Sequence, residues 1–263
     1  MIWQRQVIFL LHKFDTGKYK LEYIESEIDR PILFESHCHA QFEMIAVLEG
    51  SVSIMLEGKS YGLSAGQTVI ISPLLYHSVT AKDIGSYKRI TALFDRTAIP
   101  KPLQPSLSDR NTHISVFSSR DAEELKDICQ KSDGAFFAPL AESLMVRMLY
   151  ETHMKPRRPS GSEADEFLRL AVAYIDEHLE EKILLEELAK HTMRSCSSFC
   201  HLFEEKMKVS PKQYILQKKL AYANKLIGEG VPPTVAAIRI GYENYSSFYR
   251  IYLKHFGISP SEK

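Results

Sequence analysis

Residues 231–260, VPPTVAAIRIGYENYSSFYRIYLKHFGISP, constrain the fold more than any other stretch of the chain. Two prolines close whatever precedes them, and Thr234 is expected to cap a short helix over 235–240 that stops at Gly241. Four residues later a second helix is expected from Tyr245 to His255, ended by Gly257 and a Ser-Pro pair. Within it Phe248, Ile251, Tyr252, His255 and Phe256 recur at helical spacing and predict a buried stripe. Ser246, Ser247, Arg250 and Lys254 take the other side. A short helix, a tight turn and a second helix with one apolar and one hydrogen-bonding face match the helix-turn-helix plan, as well as an ordinary helical hairpin.

The pattern occurs twice. Upstream, LEELAKHT over 185–192 predicts a short helix, Met193 and Arg194 the turn, and Ser195 the cap of a second helix. Phe199, Leu202, Phe203 and Met207 form its inner stripe, with Ser197, Cys200, His201 and Glu204 outside. Ser210-Pro211 ends the block as Ser259-Pro260 ends the other. Between them, PKQYILQKKLAYANKLIGEG reads as one longer amphipathic helix that sets the spacing. The pattern G-Y-x(3)-S-x-F-x-R-x-[YF]-x(3)-F-G-x-[ST]-P on 241–260 resembles the signature of AraC/XylS transcription regulators, and the resemblance covers roughly 164–260.

That resemblance places DNA contacts on Ser197, Cys200 and His201 in the first unit and on Tyr245, Ser246, Ser247 and Arg250 in the second; Lys254, one turn after Arg250 on the same helix, is expected to meet a phosphate. Arg250 is the best specifier among them, because a guanidinium matches guanine O6 and N7 bidentately. His201 stands where relatives often carry Arg. Met193 and Arg194 replace the usual Gly-aliphatic turn, so a non-Gly residue at positive φ is expected there. The chain carries 33 Lys/Arg and 33 Asp/Glu, which argues against a protein that coats nucleic acid indiscriminately. The charge is uneven: residues 190–263 hold twelve Lys/Arg against five Asp/Glu, and 164–189 hold two against eight. The positive excess falls on the segment with both reading helices, as phosphate contact requires.

The N-terminal half reads differently. Short β-type runs occur at 6–11, 19–25, 32–35, 42–48, 51–56, 68–71 and 89–94, punctuated by Gly50, Gly58, Gly62 and Gly66, which points to a sandwich or barrel. His37, His39 and Glu43 stand at odd spacings and share one face if they lie on a strand; His77 follows Pro73-Leu74-Leu75-Tyr76. H-x-H-x(3)-E-x(6)-G on His37, His39, Glu43 and Gly50, with a degraded second motif ending at His77, resembles the two cupin motifs. Three His and one Glu suit Zn, Fe, Mn or Ni. Three readings stay open: a sensory pocket for a polar small molecule such as a sugar, a metal-bound sensor, and a catalytic metal centre. Helices are expected at 121–131 and 140–152, the second presenting Leu140, Leu144, Met145, Met148 and Leu149; they cover the barrel or pair subunits. Residues 155–162 read as a linker by composition. Cys38, Cys129, Cys196 and Cys200 form no regular framework, which suits a reduced, cytoplasmic setting, and the oily N-terminal stretch reads as a strand and not a signal peptide.

The expected architecture is α+β in two domains: a cupin-like β-barrel with two appended helices over 1–153, a linker over 154–163, and an all-α double helix-turn-helix over 164–263. The expected function is a sequence-specific DNA-binding regulator, not an enzyme, controlled by a small molecule at His37, His39, Glu43 and His77. No cofactor is certain; a divalent metal on those four residues is the one candidate. The partners that follow are double-stranded DNA, the effector, a second copy of the chain and, for an activator, RNA polymerase, with no membrane. The alternative is a cupin dioxygenase or isomerase with a helical accessory domain.

Overall fold

The computed structural model of the chain describes residues 8–262 except 35, 82–83, 106, 108–111, 117–118, 131–136 and 155–164. The expected strand start at Gln6, residue 35 at the end of the 32–35 run, and nearly all of the expected linker lie outside the described residues. Among the described residues ten antiparallel strands form two sheets: β1 (Ile8–Asp15), β2 (Tyr19–Ile28), β3 (Ile32–Leu33), β4 (Phe42–Glu49), β5 (Ser51–Leu56), β6 (Lys59–Ser64), β7 (Gln67–Ile71), β8 (His77–Ala81), β9 (Gly85–Phe94) and β10 (Thr112–Val116). One sheet runs β1-β2-β9-β4-β7-β10 and the other β3-β8-β5-β6. The described strands therefore make two facing sheets and not one hydrogen-bonded ring, an open form of the expected cupin-like barrel. The short strands β6, β8 and β10 carry no strong alternation and were not legible as runs.

β4 shows how the layers form. Phe42, Met44 and Ala46 point to one side, where they join Tyr19, Tyr23, Ile90 and Phe94 beneath two helices. Ile45 and Val47 point to the other side, into a core with Val52, Ile54, Leu63 and Ile71. Both faces are covered, so the strand reads as a continuous apolar run. The helices are α1 (Ser119–Gln130) and α2 (Phe137–Met154). Leu125, Ile128, Leu144, Met145, Met148 and Leu149 are buried as expected, but Leu140 is 46% exposed. At about 100° per residue Leu140 falls just outside the arc centred on Ala141, Met145 and Met148.

The C-terminal half is helical: α3 (Glu166–Glu177), α4 (Leu185–His191), α5 (Cys196–Met207), α6 (Pro211–Gly228), α7 (Pro233–Arg239) and α8 (Tyr245–Phe256). Caps explain the starts. Ser195 accepts from Ser198 N, Ser210 from Gln213 N, and Asn244 from Ser246 N and Ser247 N. Thr234 does not cap α7. Pro232 occupies the cap position and Pro233 opens the helix, where its fixed φ costs nothing, so Thr234 already lies in the first turn. His255, expected in the buried stripe of α8, is exposed; Phe248 and Tyr252 carry that stripe.

The two helix-turn-helix turns are closed by the same bonds. Arg194 N donates to Ala189 O at 2.9 Å, and Tyr242 N donates to Ala237 O at 3.0 Å. Each bond spans a residue in the left-handed region, Met193 at φ 55° and Gly241 at φ 92°. Met193 is 87% exposed, so its side chain contributes little packing in exchange for the strain. Met193→Gly is expected to stabilise the first unit by up to about 1 kcal/mol, measured by urea unfolding, because it relieves that backbone strain. Gly241→Ala is expected to shift stability the opposite way.

Candidate DNA-reading faces and effector pocket

Each reading helix is held by its inner side and open on its outer side. In α5, Phe199, Phe203 and Met207 are buried, whereas Ser197 and His201 are exposed and Cys200 is half-buried. In α8, Phe248 and Tyr252 are buried, and Ser246, Arg250 and Lys254 are exposed, with Tyr245 and Ser247 half-buried. The Arg250 Nε–H donates to Ser246 O at 3.3 Å, leaving the guanidinium on the outer face. The long helix α6 lies between the units. Lys219, on α6, donates from Nζ to Glu181 O and, at 2.9 Å, to Ile240 O, binding the α3–α4 loop to the end of α7. Burial holds this ammonium below the usual lysine range.

In the N-terminal half, His37, His39, Glu43 and His77 come together, with one donor atom from each lying within 4.8 Å of the others. They do not share one strand face, as the odd spacing implied. Only Glu43 lies on β4; His37 is an isolated bridge residue and His39 lies in irregular chain just before the strand. The chain is diverted by pairing with the loop before β8: His37 and His77 exchange backbone bonds at 3.0 and 2.9 Å, and Leu74 N donates to His39 O at 2.8 Å. Glu43 Oε2 lies 3.0 Å from His39 Nε2 and 2.8 Å from His77 Nε2. Burial opposes ionisation of Glu43, but the two imidazoles outweigh it and hold the carboxyl well below its ordinary range. Burial likewise disfavours charge on His77, and the Glu43 carboxylate more than reverses this, raising its pKa.

A third cluster joins the halves and was missed in the sequence. Lys218 on α6, 1% exposed, lies 2.9 Å from Glu57 Oε1 and 2.7 Å from Asp176 Oδ1, and donates to Leu74 O at 2.7 Å. Tyr214 OH donates to Glu57 Oε2, and Glu57 Oε1 also accepts from Tyr76 N at 2.8 Å. Burial disfavours the Lys218 ammonium, but the two carboxylates overcome this and raise its pKa. Cys38 and Tyr76 of the sheet half pack in one core with Phe167, Leu168, Phe203 and Tyr214 of the helical half. The available signal was that Tyr214, Lys218 and Ala221 share one face of α6, a charge in an otherwise buried row. Lys218→Met strands two buried carboxylates and is expected to cost about 3–5 kcal/mol. Calorimetry should then show the halves melting separately, against a single joint transition in the parent chain.

Residues 21–148 match the family described as the AraC-like ligand binding domain, and residues 188–263 match a helix-turn-helix domain. The chain is 32% identical over 99 residues to the uncharacterized HTH-type transcriptional regulator YdiP of Escherichia coli (strain K12), covering 37% of this chain and 33% of that protein. The chain thus spans about a third of the length of YdiP. It is 25% identical over 229 residues to the uncharacterized HTH-type transcriptional regulator YobQ of Bacillus subtilis (strain 168), covering 87% of this chain and 88% of that one. The melibiose operon regulatory protein of Escherichia coli (strain K12) is 20% identical over 267 residues, with 91% and 86% covered. A ligand-binding half of antiparallel sheets, two capped helix-turn-helix units behind it, and relatives that match both halves together place this chain in the AraC family of transcription regulators.

Proposed function

We propose that the chain is a cytoplasmic, sequence-specific DNA-binding regulator, and not an enzyme, whose reading half is governed by a polar small molecule held at His37, His39, Glu43 and His77. The observation that carries this reading is the repeated unit: two helices anchored inward by Phe199 and Phe248, each presenting exposed polar side chains outward. Among the described residues no helix is long and apolar enough to cross a membrane. The working division is an effector domain over 1–153, a linker over 154–163 and a DNA-binding domain over 164–263. A sugar is one effector class to test first, by analogy with the melibiose operon regulatory protein. Val146, Tyr150 and Met154 form an exposed apolar row at i, i+4, i+8 on α2, which suits pairing with a second copy of the chain. Where the regulator activates, RNA polymerase is the further partner.

The reading contacts assign Ser197, Cys200 and His201 to one major-groove segment and Tyr245, Ser246, Ser247, Arg250 and Lys254 to the next. Two side chains one turn apart on α8 test this assignment. Arg250→Ala is expected to cost about 1–3 kcal/mol on the cognate site and to relax preference at one base pair. Lys254→Ala is expected to weaken all sequences alike and lower the salt slope by about one unit. Binding to a randomised duplex pool at two or more salt concentrations reads both effects. Unchanged base preference after Arg250→Ala, with a large fall in melting temperature, would assign Arg250 to the fold instead.

A further inference from the structure

The two reading units have separate cores. Helices α3, α4 and α5 pack with Tyr214 and Ala221 of α6 around Phe199 and Phe203. Helices α7 and α8 pack with Leu220, Ala223 and Leu226 of α6 around Phe248 and Tyr252. Half-buried Tyr222, also on α6, lies against both cores. A shared helix fixes how far apart two units stand along its axis. Apolar packing has no direction of its own, so it holds their rotation about that axis only loosely.

Lys219 supplies a direction. It is 9% exposed, and its Nζ donates to Glu181 O on the α3–α4 loop and, at 2.9 Å, to Ile240 O. Both carbonyls follow helix ends, those of α3 and α7, where backbone acceptors lack helical partners and a cation is favoured. An ammonium has three N–H donors and serves both at once. Leaving it buried and unpaired is costly, so the two segments are held to one point. Ile240 stands five residues ahead of α8, and a Cβ on Gly241 would lie 3.6 Å from Lys219 Nζ. The ammonium therefore sits against the turn that aims the second reading helix.

We propose that Lys219 is a positioning residue for DNA recognition: it fixes the second reading helix in distance and rotation from the first, and so sets the base-pair spacing that the two units accept. The proposal rests on the regulator reading, in which α5 and α8 enter successive major-groove segments. Duplex DNA advances about 3.4 Å and turns roughly 34° with each base pair. An inserted base pair asks the units to swivel as well as to separate. Pinned units cannot follow that swivel, whereas units joined through α6 alone can. Lys219 touches no base; it acts through Ile240 and the turn, unlike the contacts assigned to Arg250 and Lys254.

The test uses the full chain and a duplex that it selects from a randomised pool. That duplex is remade with one base pair added to or removed from the stretch between the two protected segments. The parent is expected to bind the selected spacing about tenfold more tightly than either altered one. Lys219→Met keeps an apolar stem and removes the donors. It should cut that preference to about threefold or less, mostly by loss on the selected spacing, with base preference inside each segment unchanged. Lys219→Arg, which keeps the charge and the donors, should restore it. Melting temperature and near-ultraviolet circular dichroism show whether each variant is folded. Should Lys219→Met not fold, Lys219→Gln, with a shorter neutral arm, is read in the same way. A folded variant that weakens every spacing alike, or keeps the parent's preference, would overturn the proposal. So would a folded Lys219→Arg that discriminates no better than Lys219→Met. A parent chain that selects a duplex yet accepts all spacings alike refutes the positioning role alone. A parent chain that selects no duplex refutes the regulator reading, and the positioning role with it.

Discussion

A single buried ammonium fixes how the two halves of this protein meet. Lys218 sits at 1% exposure between Glu57 of the sheet half and Asp176 of the helical half. Removing such a charge from water costs several kcal/mol, recovered only when the partners are close and the remaining donors are used. Here they are: two carboxylates and the Leu74 carbonyl take the ammonium, while Tyr214 and the Tyr76 amide complete Glu57. An apolar contact would allow sliding; this one holds a single register. The next residue, Lys219, binds the Glu181 and Ile240 carbonyls, so adjacent lysines on α6 tie the sheet half to α3 and the α3–α4 loop to the second unit.

Two of the three groups that meet Lys218 come from backbone that few residues adopt. Glu57 has φ 45° and Gly58 has φ 80°, the pair of left-handed residues that a two-residue turn between β5 and β6 demands. Leu74 has φ 64°. Non-glycine residues in that region cost on the order of 1–2 kcal/mol each, and both instances in this interface aim a group at the same nitrogen. Gly58 has its own reason to be glycine: a Cβ there would stand 2.4 Å from Leu168 Cδ1, on the first helix of the DNA-reading half. Two of the four described non-glycine residues in that region therefore lie where the halves touch; Met193 and Lys208 are the others.

The helical half was legible in detail because its signals are local. Ser195, Ser210 and Gly257 mark ends that caps and left-handed residues produce within a few residues, and Phe199 or Phe248 declares its face by spacing alone. Thr234 misled because two adjacent prolines start a helix without a side-chain cap. The sheet half was legible as strands but not as topology, since β9 lies between β2 and β4 through pairings that no local pattern encodes. The histidine cluster was found from the right residues by the wrong geometry. His37 and His39 reach Glu43 through a loop pinned to the β8 approach and not along a strand. Lys218 was illegible for the same reason: Glu57 and Asp176 are distant in sequence, and lysine in a helix ordinarily signals solvent.

The pocket and the interface share a residue. Leu74 donates its N–H to the His39 carbonyl and offers its own carbonyl to Lys218, at 2.8 and 2.7 Å. On the other side, His77 pairs in register with Leu56, the residue before Glu57. Anything that pulls His39 and His77 together therefore acts close to two of the three groups that hold Lys218, through Leu74 itself and through Leu56 next to Glu57. Packed interiors respond to such displacements by switching between arrangements and not by stretching. A ligand in the pocket biases the docking of the reading half only to the extent that it binds the docked and undocked forms differently. Leu74 is where such a difference would act, since the same residue bonds the His39 carbonyl beside the pocket and the Lys218 ammonium at the interface.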